Sequence, residues 1–156
     1  MCMLTPHTFV LLSNAADAPT SLNAFDKALL DMGVSDYNYI KVSSILPPSC
    51  KRGTIDDARN VPPGSFMFSV MSKIVSEEPG DVISSSLACA KTNETVGCIS
   101  EYSGHCSAKE AERRAIDMAY EMVDKRGATL ASLHTTSSDH VVEKSGCSIS
   151  LCLLLY

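Results

Sequence analysis

Apolar and polar residues alternate with a period of two along much of this chain, and two stretches switch to helical spacing. The clearest alternation covers residues 65–76. Phe66, Phe68 and Val70 fall on one side and Met67, Ser69 and Met71 on the other, which predicts a strand. Glu77-Glu78-Pro79-Gly80 predicts a turn. Residues 82–90 and 96–102 then read as a hairpin around Lys91 to Glu94. Its small residues, among them Ser84, Ser85, Ala88 and Ala90, suit close sheet packing. Further strands are expected at 8–13, 37–46, 129–135 and 147–156, with a loop at 14–19. Pro47-Pro48 ends the strand at 37–46, because proline brings no N–H to a ladder.

The first helical stretch starts at the cap residue Ser21, runs through Phe25, Leu29 and Leu30, and stops at Gly33. In the second, Ser107 and Glu110 have capping-box spacing, and the helix runs to Arg126 with Gly127 as its stop. Ala111, Ala115, Met118, Ala119 and Met122 form its apolar face. Residues 49–63 show neither period and read as an irregular surface loop. Groups of strands separated by helices predict layered α/β sheets rather than a strict alternation of strand and helix.

With 156 residues, 45% of them hydrophobic and 20% charged, the chain is expected to form one globular domain. The net charge of −5 and the absence of a basic run argue against nucleic acid as a partner. The longest apolar run, residues 151–156, is far short of the roughly 20 residues that span a bilayer, so no membrane association is expected. The residues from Met1 to Pro6 lack the basic-then-apolar order of a signal peptide. Seven cysteines include no C-x-x-C pair, which predicts reduced, buried thiols in a cytoplasmic protein and no zinc site. Asn93-Glu94-Thr95 reads as a turn rather than a glycosylation site. No G-x-G-x-x-G or P-loop supports nucleotide binding.

Candidate chemistry centres on Ser43-Ser44, at the end of the apolar run Tyr39-Ile40-Lys41-Val42 and before Ile45-Leu46-Pro47-Pro48. A hydroxyl beside its own upstream peptide bond can attack that bond. A Ser-His-Asp hydrolase built from Ser44, His134 or His140, and Asp139 lacks the G-x-S-x-G elbow. Cys106 precedes a helix N-cap, which favours a thiolate, but His105 beside it would point the other way. Glu101 follows the apolar Gly97-Cys98-Ile99. It is either a solvent-exposed strand end or a carboxylate whose burial would raise its pKa and let it carry a proton. By themselves Asp26 is a polar helix position and Asn38 a turn residue.

Together these positions resemble the pyruvoyl-dependent arginine decarboxylases of the small archaeal type, over residues 20–156. The likeness rests on Leu22-Asn23-Ala24-Phe25-Asp26, Asn38, the serine pair with Ile45-Leu46-Pro47-Pro48, and Pro79-Gly80. It continues through Glu101-Tyr102, Gly104, Cys106-Ser107, Glu110-Ala111-Glu112, Val142-Glu143-Lys144, Gly146-Cys147 and Tyr156. Leu46 stands where the family often has Met, and Ser103 where a Glu is common.

The resemblance implies a four-layer αββα sandwich of mostly antiparallel sheets in a single domain, assembled as a homotrimer with active sites between subunits. It implies that Ser44 Oγ attacks the Ser43 carbonyl to give an ester. Elimination then frees residues 1–43, the beta chain. Loss of ammonia leaves a covalent pyruvoyl group at residue 44 of the alpha chain, residues 44–156. That group forms a Schiff base with the amine of L-arginine and needs neither a metal nor pyridoxal phosphate. Glu101 is the implied proton donor, Asn38 a hydrogen-bond donor to the reacting carbonyl, and Asp26 the partner of the guanidinium. The implied product is agmatine. The alternatives are the same chemistry on another amino acid, such as histidine or ornithine, and a family member that never cleaves.

Overall fold

The computed structural model describes residues 4–156, so Cys2 and the start of the segment read against a signal peptide lie outside the described residues. In chain order it contains β1 (Thr8–Ala18), α1 (Ser21–Met32), β2 (Asn38–Lys41), β3 (Ile45–Leu46), β4 (Lys51–Arg52) and α2 (Ile55–Arg59). There follow β5 (Phe66–Ser76), β6 (Val82–Thr92), β7 (Gly97–Gly104), α3 (Ala108–Asp124), β8 (Leu130–Val141) and β9 (Ser145–Leu155). The strands form two sheets, in the orders β2-β5-β9-β1-β4 and β3-β7-β6-β8. Only the pairs β1–β4 and β2–β5 are parallel; the other ladders are antiparallel.

Helix α1 lies on β1 and β9 of the first sheet, and α3 lies on β6, β7 and β8 of the second. The sheets face each other, with β1 against β8 and β6 against β9. This is the expected αββα sandwich. Its three apolar layers follow from the alternation along each strand. Val10, Ile149, Leu151 and Leu153 point at Ala24, Ala28 and Leu29 of α1. Phe9, Leu46, Val70, Leu87, Ile99 and Leu154 meet between the sheets. Under α3 the layer is thin because alanine faces alanine: Ala88 and Ala90 pack on Ala115 and Ala119.

The middle of the sandwich also holds hydroxyls. Ser85 Oγ lies 2.9 Å from Ser148 Oγ and 3.0 Å from Ser150 Oγ, and Ser138 Oγ lies 2.8 Å from Ser148 Oγ. Serines that satisfy one another this way are tolerated in a core that would otherwise penalise each unpaired hydroxyl. They explain why serines at strand positions 85, 138, 148 and 150 do not break the sheets.

Several expectations are corrected. Residues 14–18 are strand, not loop, because their polar groups find partners within the fold. The Asn14 amide donates to the Ala28 carbonyl at 3.2 Å. Asp17 accepts from His140 Nε2 at 2.9 Å and from the amides of Glu143 and Lys144 at 2.8 and 2.9 Å. Partial burial alone would raise the Asp17 carboxyl, but the Glu143 amide, the His140 ring and the Lys144 amide outweigh it and lower it to about 2.

Residues 49–63 contain β4 and α2; the N-cap of α2 is Thr54, whose amide donates to the Asp57 carboxylate at 2.7 Å. The cap of α1 is Thr20, whose Oγ1 accepts the Asn23 amide, while Ser21 donates to Glu77 at 2.8 Å. Ser107 caps α3 as expected, but the Glu110 carboxylate does not reach back. Arg113 and Arg114 hold it at 2.7 to 3.0 Å. Met118 is exposed rather than part of the buried face, which Val123 completes.

Candidate active site

The single strand expected at 37–46 is two strands in two different sheets. β2 ends at Lys41 in the first sheet, and β3 begins at Ile45 in the second. The Ser43-Ser44 bond lies in the crossing, with Ser43 exposed and Ser44 half-buried in a bend. Both flanks are anchored. Upstream, the Val42 amide donates to the Ser69 carbonyl at 2.9 Å. Downstream, the Ser44 carbonyl accepts the Ile99 amide at 2.9 Å, Ile45 and Leu46 pair with Cys98 and Gly97, and Leu46 is fully buried. Close approach here requires glycine. A Cβ on Gly97 would sit 2.9 Å from the Ala90 carbonyl oxygen and 3.3 Å from Leu46 Cβ.

Glu101 stands where β3 stops covering β7. Residues 97–100 are buried, and the Glu101 side chain is 37% exposed. Of the two readings of Glu101, the structure shows the exposed strand end: Glu101 faces the open edge and pairs with Lys41, Nζ to Oε1 at 3.0 Å. Ser44 and Glu101 line one cavity of about 410 Å³, together with Ile99, Ser100 and the α3 residues Met118, Glu121, Met122, Lys125 and Arg126. The exposed Met118 thus walls the space beside Ser44.

Asp26 and Asn38 line a second cavity, of about 460 Å³, with Phe25, Leu29, Tyr37, Tyr39, Lys41 and Met71 among its walls. Asp26 is exposed on α1 and has no hydrogen-bond or ion-pair partner among the described residues. Asn38 is held at the start of β2. Its amide N–H donates to the Ser65 carbonyl at 2.9 Å and its side-chain Nδ2 to the Gly64 carbonyl at 2.8 Å. Neither cavity contains all four residues singled out from the sequence. The structure brings together Ser44 with Glu101, and Asp26 with Asn38.

A family model described as pyruvoyl-dependent arginine decarboxylase matches residues 8–156. The chain belongs to this family. It is 40% identical over 146 residues to the pyruvoyl-dependent arginine decarboxylase of Methanothermobacter thermautotrophicus, covering 93% of this chain and 94% of that protein. The protein of the same name from Methanocaldococcus jannaschii is 36% identical over 153 residues, 97% of this chain and 91% of the relative. That of Pyrococcus abyssi is 36% identical over 145 residues, 92% of this chain and 90% of the relative.

In this pyruvoyl-dependent arginine decarboxylase family member, the rival nucleophile sites are not assembled. Asp139 accepts the Ala108 amide at 2.6 Å and so caps α3, His140 is bound to Asp17, and His134 lies 3.2 Å from an Arg52 nitrogen. Cys106 Sγ contacts Ser84 Oγ at 3.2 Å, and His105 faces Asp81 at 3.7 Å.

The residue that sequence reasoning missed is Lys41. It lines the Asp26 cavity, and it shares with Glu101 a polar cleft of about 190 Å³ that also includes Ser72, Lys73 and Ser103. The available signal was its charge, alone in the stretch from Tyr37 to Cys50 and three residues before Ser44.

Proposed function

We propose that this chain decarboxylates L-arginine to agmatine and carbon dioxide, using a pyruvoyl group made from its own Ser44. The observation that carries the reading is the placement of the Ser43-Ser44 bond at the crossing between the sheets, anchored on both sides and beside Glu101. The residues fit such a group. The Ser44 carbonyl is tied to Ile99 by backbone alone, a contact that neither requires nor obstructs the hydroxyl. Ser43 is exposed, so a new chain end there meets water.

Cleavage would divide the domain into residues 1–43 and 44–156. Both pieces stay in place, because β1 of the first is paired along its whole length with β9 of the second. The pyruvoyl group supplies a ketone that takes up the substrate amine and the electrons released as carbon dioxide leaves. Glu101 delivers the proton that replaces the carboxylate on the α-carbon. Asp26, unpartnered on α1, pairs with the guanidinium through two parallel hydrogen bonds, a geometry that lysine or ornithine does not match. Asn38 offers its second side-chain N–H to the reacting carbonyl.

A homotrimer would complete the site. Among the described residues, no strand lies beside the β5 edge beyond Ser69 or beside the β7 edge beyond Ile99. The two open edges adjoin, with Ser72 Oγ donating to the Tyr102 carbonyl at 2.6 Å. A neighbouring protomer covering these edges would set its Asp26 cavity against Ser44 and would desolvate Glu101. No helix among the described residues is long and apolar enough to cross a membrane. A cytoplasmic location is supported by six described thiols with no disulfide among them.

The intact mass of the purified protein, read with an arginine decarboxylation assay, tests this. Two fragments divided after Ser43 are expected, the larger lighter by one ammonia than residues 44–156, together with release of carbon dioxide from arginine. A single full-length species with no turnover would overturn the reading in favour of a non-cleaving member. Comparable turnover of ornithine or lysine would remove the guanidinium role from Asp26.

Gly97→Ala gives a second check. The added methyl pushes Leu46 and the Ala90 strand apart, at a cost of about 1–3 kcal/mol, and loosens the downstream anchor of the bond. Cleavage followed by gel electrophoresis is expected to slow at least several-fold, the lower end of what that strain allows, in a chain that still folds.

A further inference from the structure

We propose that Lys41 is a positioning residue for Glu101 and holds its carboxyl in place for proton delivery beside Ser44. This rests on the reading of Glu101 as the proton donor. Lys41 ends β2 in one sheet and Glu101 lies on β7 in the other, so their 3.0 Å contact bridges the crossing that carries Ser44. Lys41 engages one carboxylate oxygen, Oε1, and the other has no partner among the described residues. Glu101 thus has Lys41 on the side of the polar cleft and Ser44 on the side of the larger cavity. A carboxyl held at one oxygen and free at the other is oriented for transfer into that cavity.

The other charged groups around Glu101 are differently placed. Lys73 of β5 shares the cleft, but its ammonium sits 4.5 Å from the centroid of the Phe25 ring. Glu121, Lys125 and Arg126 reach the Ser44 cavity from α3 and form no ion pair with Glu101. The β6 residue opposite Glu101 is the uncharged Leu87. After cleavage the new carboxylate of Ser43 would lie two residues from Lys41, on the same fragment. Among these, Lys41 alone is in contact with the carboxylate. That contact ties down the Glu101 side chain, and a proton donor held in one orientation within reach of its target transfers better than one free to rotate.

An exposed pair such as this contributes little to stability, so Lys41→Met is expected to fold. The first measurement needs no pyruvoyl group. In full-length Ser44→Ala protein, the mobility of the Glu101 side chain is read from carbon-13 relaxation of its carboxyl, assigned by its loss in Glu101→Gln, with and without Lys41→Met. Removing Lys41 is expected to make that carboxyl clearly more mobile.

The second measurement uses cleaved enzyme and arginine. Lys41→Met should lower kcat on the order of tenfold with KM within about twofold. Lys41→Arg should restore kcat, since it keeps the charge. Unchanged mobility of the Glu101 carboxyl overturns the inference whatever the rates, as does an arginine variant no better than the methionine one. If wild-type protein neither cleaves nor decarboxylates arginine, the proposed function fails instead, and the relaxation measurement still reports on the Lys41–Glu101 pair.

Discussion

Ser44→Ala is expected to stay at full-length mass under prolonged incubation and to release no carbon dioxide from arginine above background. In the proposed cleavage the serine β-oxygen has two duties that alanine cannot take over. It attacks the Ser43 carbonyl, and it then departs from the β-carbon with the upstream acyl group attached. The loss should be complete rather than graded, because without it there is no ketone at residue 44. The fold should survive. Ser44 is half-buried, and its recorded anchor is the backbone contact between its carbonyl and the Ile99 amide, which alanine retains.

Ser43→Ala is the matched control. Ser43 is exposed and lends only its carbonyl to the reaction, so cleavage should still occur. Mass spectrometry of the two variants side by side separates the chemistry of one hydroxyl from any general effect on the crossing. Cleavage of Ser44→Ala at the same bond would remove Ser44 from its role.

Much of this architecture is legible in the chain because its strands obey a period of two on faces that are both covered. Phe66, Phe68 and Val70 alternate with Met67, Ser69 and Met71 along β5, as the letters predict. Gly33 and Gly127 stop their helices in the left-handed region, with φ of 74° and 60°, where glycine is favoured. What misleads is polarity satisfied at long range. Asn14 and Asp17 look like loop residues because Ala28, His140 and the 143–144 amides, which make them acceptable inside a strand, are far away in sequence. The stretch 37–46 misleads for the opposite reason. Its apolar letters suit a strand, but nothing local says that Tyr39 belongs to one sheet and Leu46 to the other.

The candidate site divides the same way. Ser44 and Glu101 were visible as residue types, and the structure sets them beside one cavity. The apolar run before Glu101 leaves both burial and exposure open for it. That run is buried, but the cover from β3 ends one residue before Ser100, at Ile99. The lone charge of Lys41 is a weak signal because its partner lies 60 positions away on another sheet.

Glu101→Gln should cleave normally and decarboxylate on the order of 10²–10⁴ times more slowly, since the amide keeps the shape of the carboxyl but has no proton of suitable acidity to give. Cleavage and turnover are thereby separated, which Ser44→Ala cannot do. The same substitution has a second effect through Lys41. In the wild-type chain the Lys41 charge is offset by Glu101, so Asp26 supplies the remaining negative charge of its cavity. With glutamine at 101 the ammonium is no longer offset, and it faces the space where a guanidinium would sit.

Steady-state kinetics should therefore show KM for arginine rising several-fold along with the fall in kcat, as expected when a like charge meets a cationic substrate. Adding Lys41→Met to Glu101→Gln should bring KM back while kcat stays low, because the electrostatic obstacle is removed and the missing proton donor is not. Recovery of kcat in that double variant would mean that the proton comes from elsewhere. An unchanged KM in both would mean that Lys41 and Asp26 do not share the charge balance of one cavity.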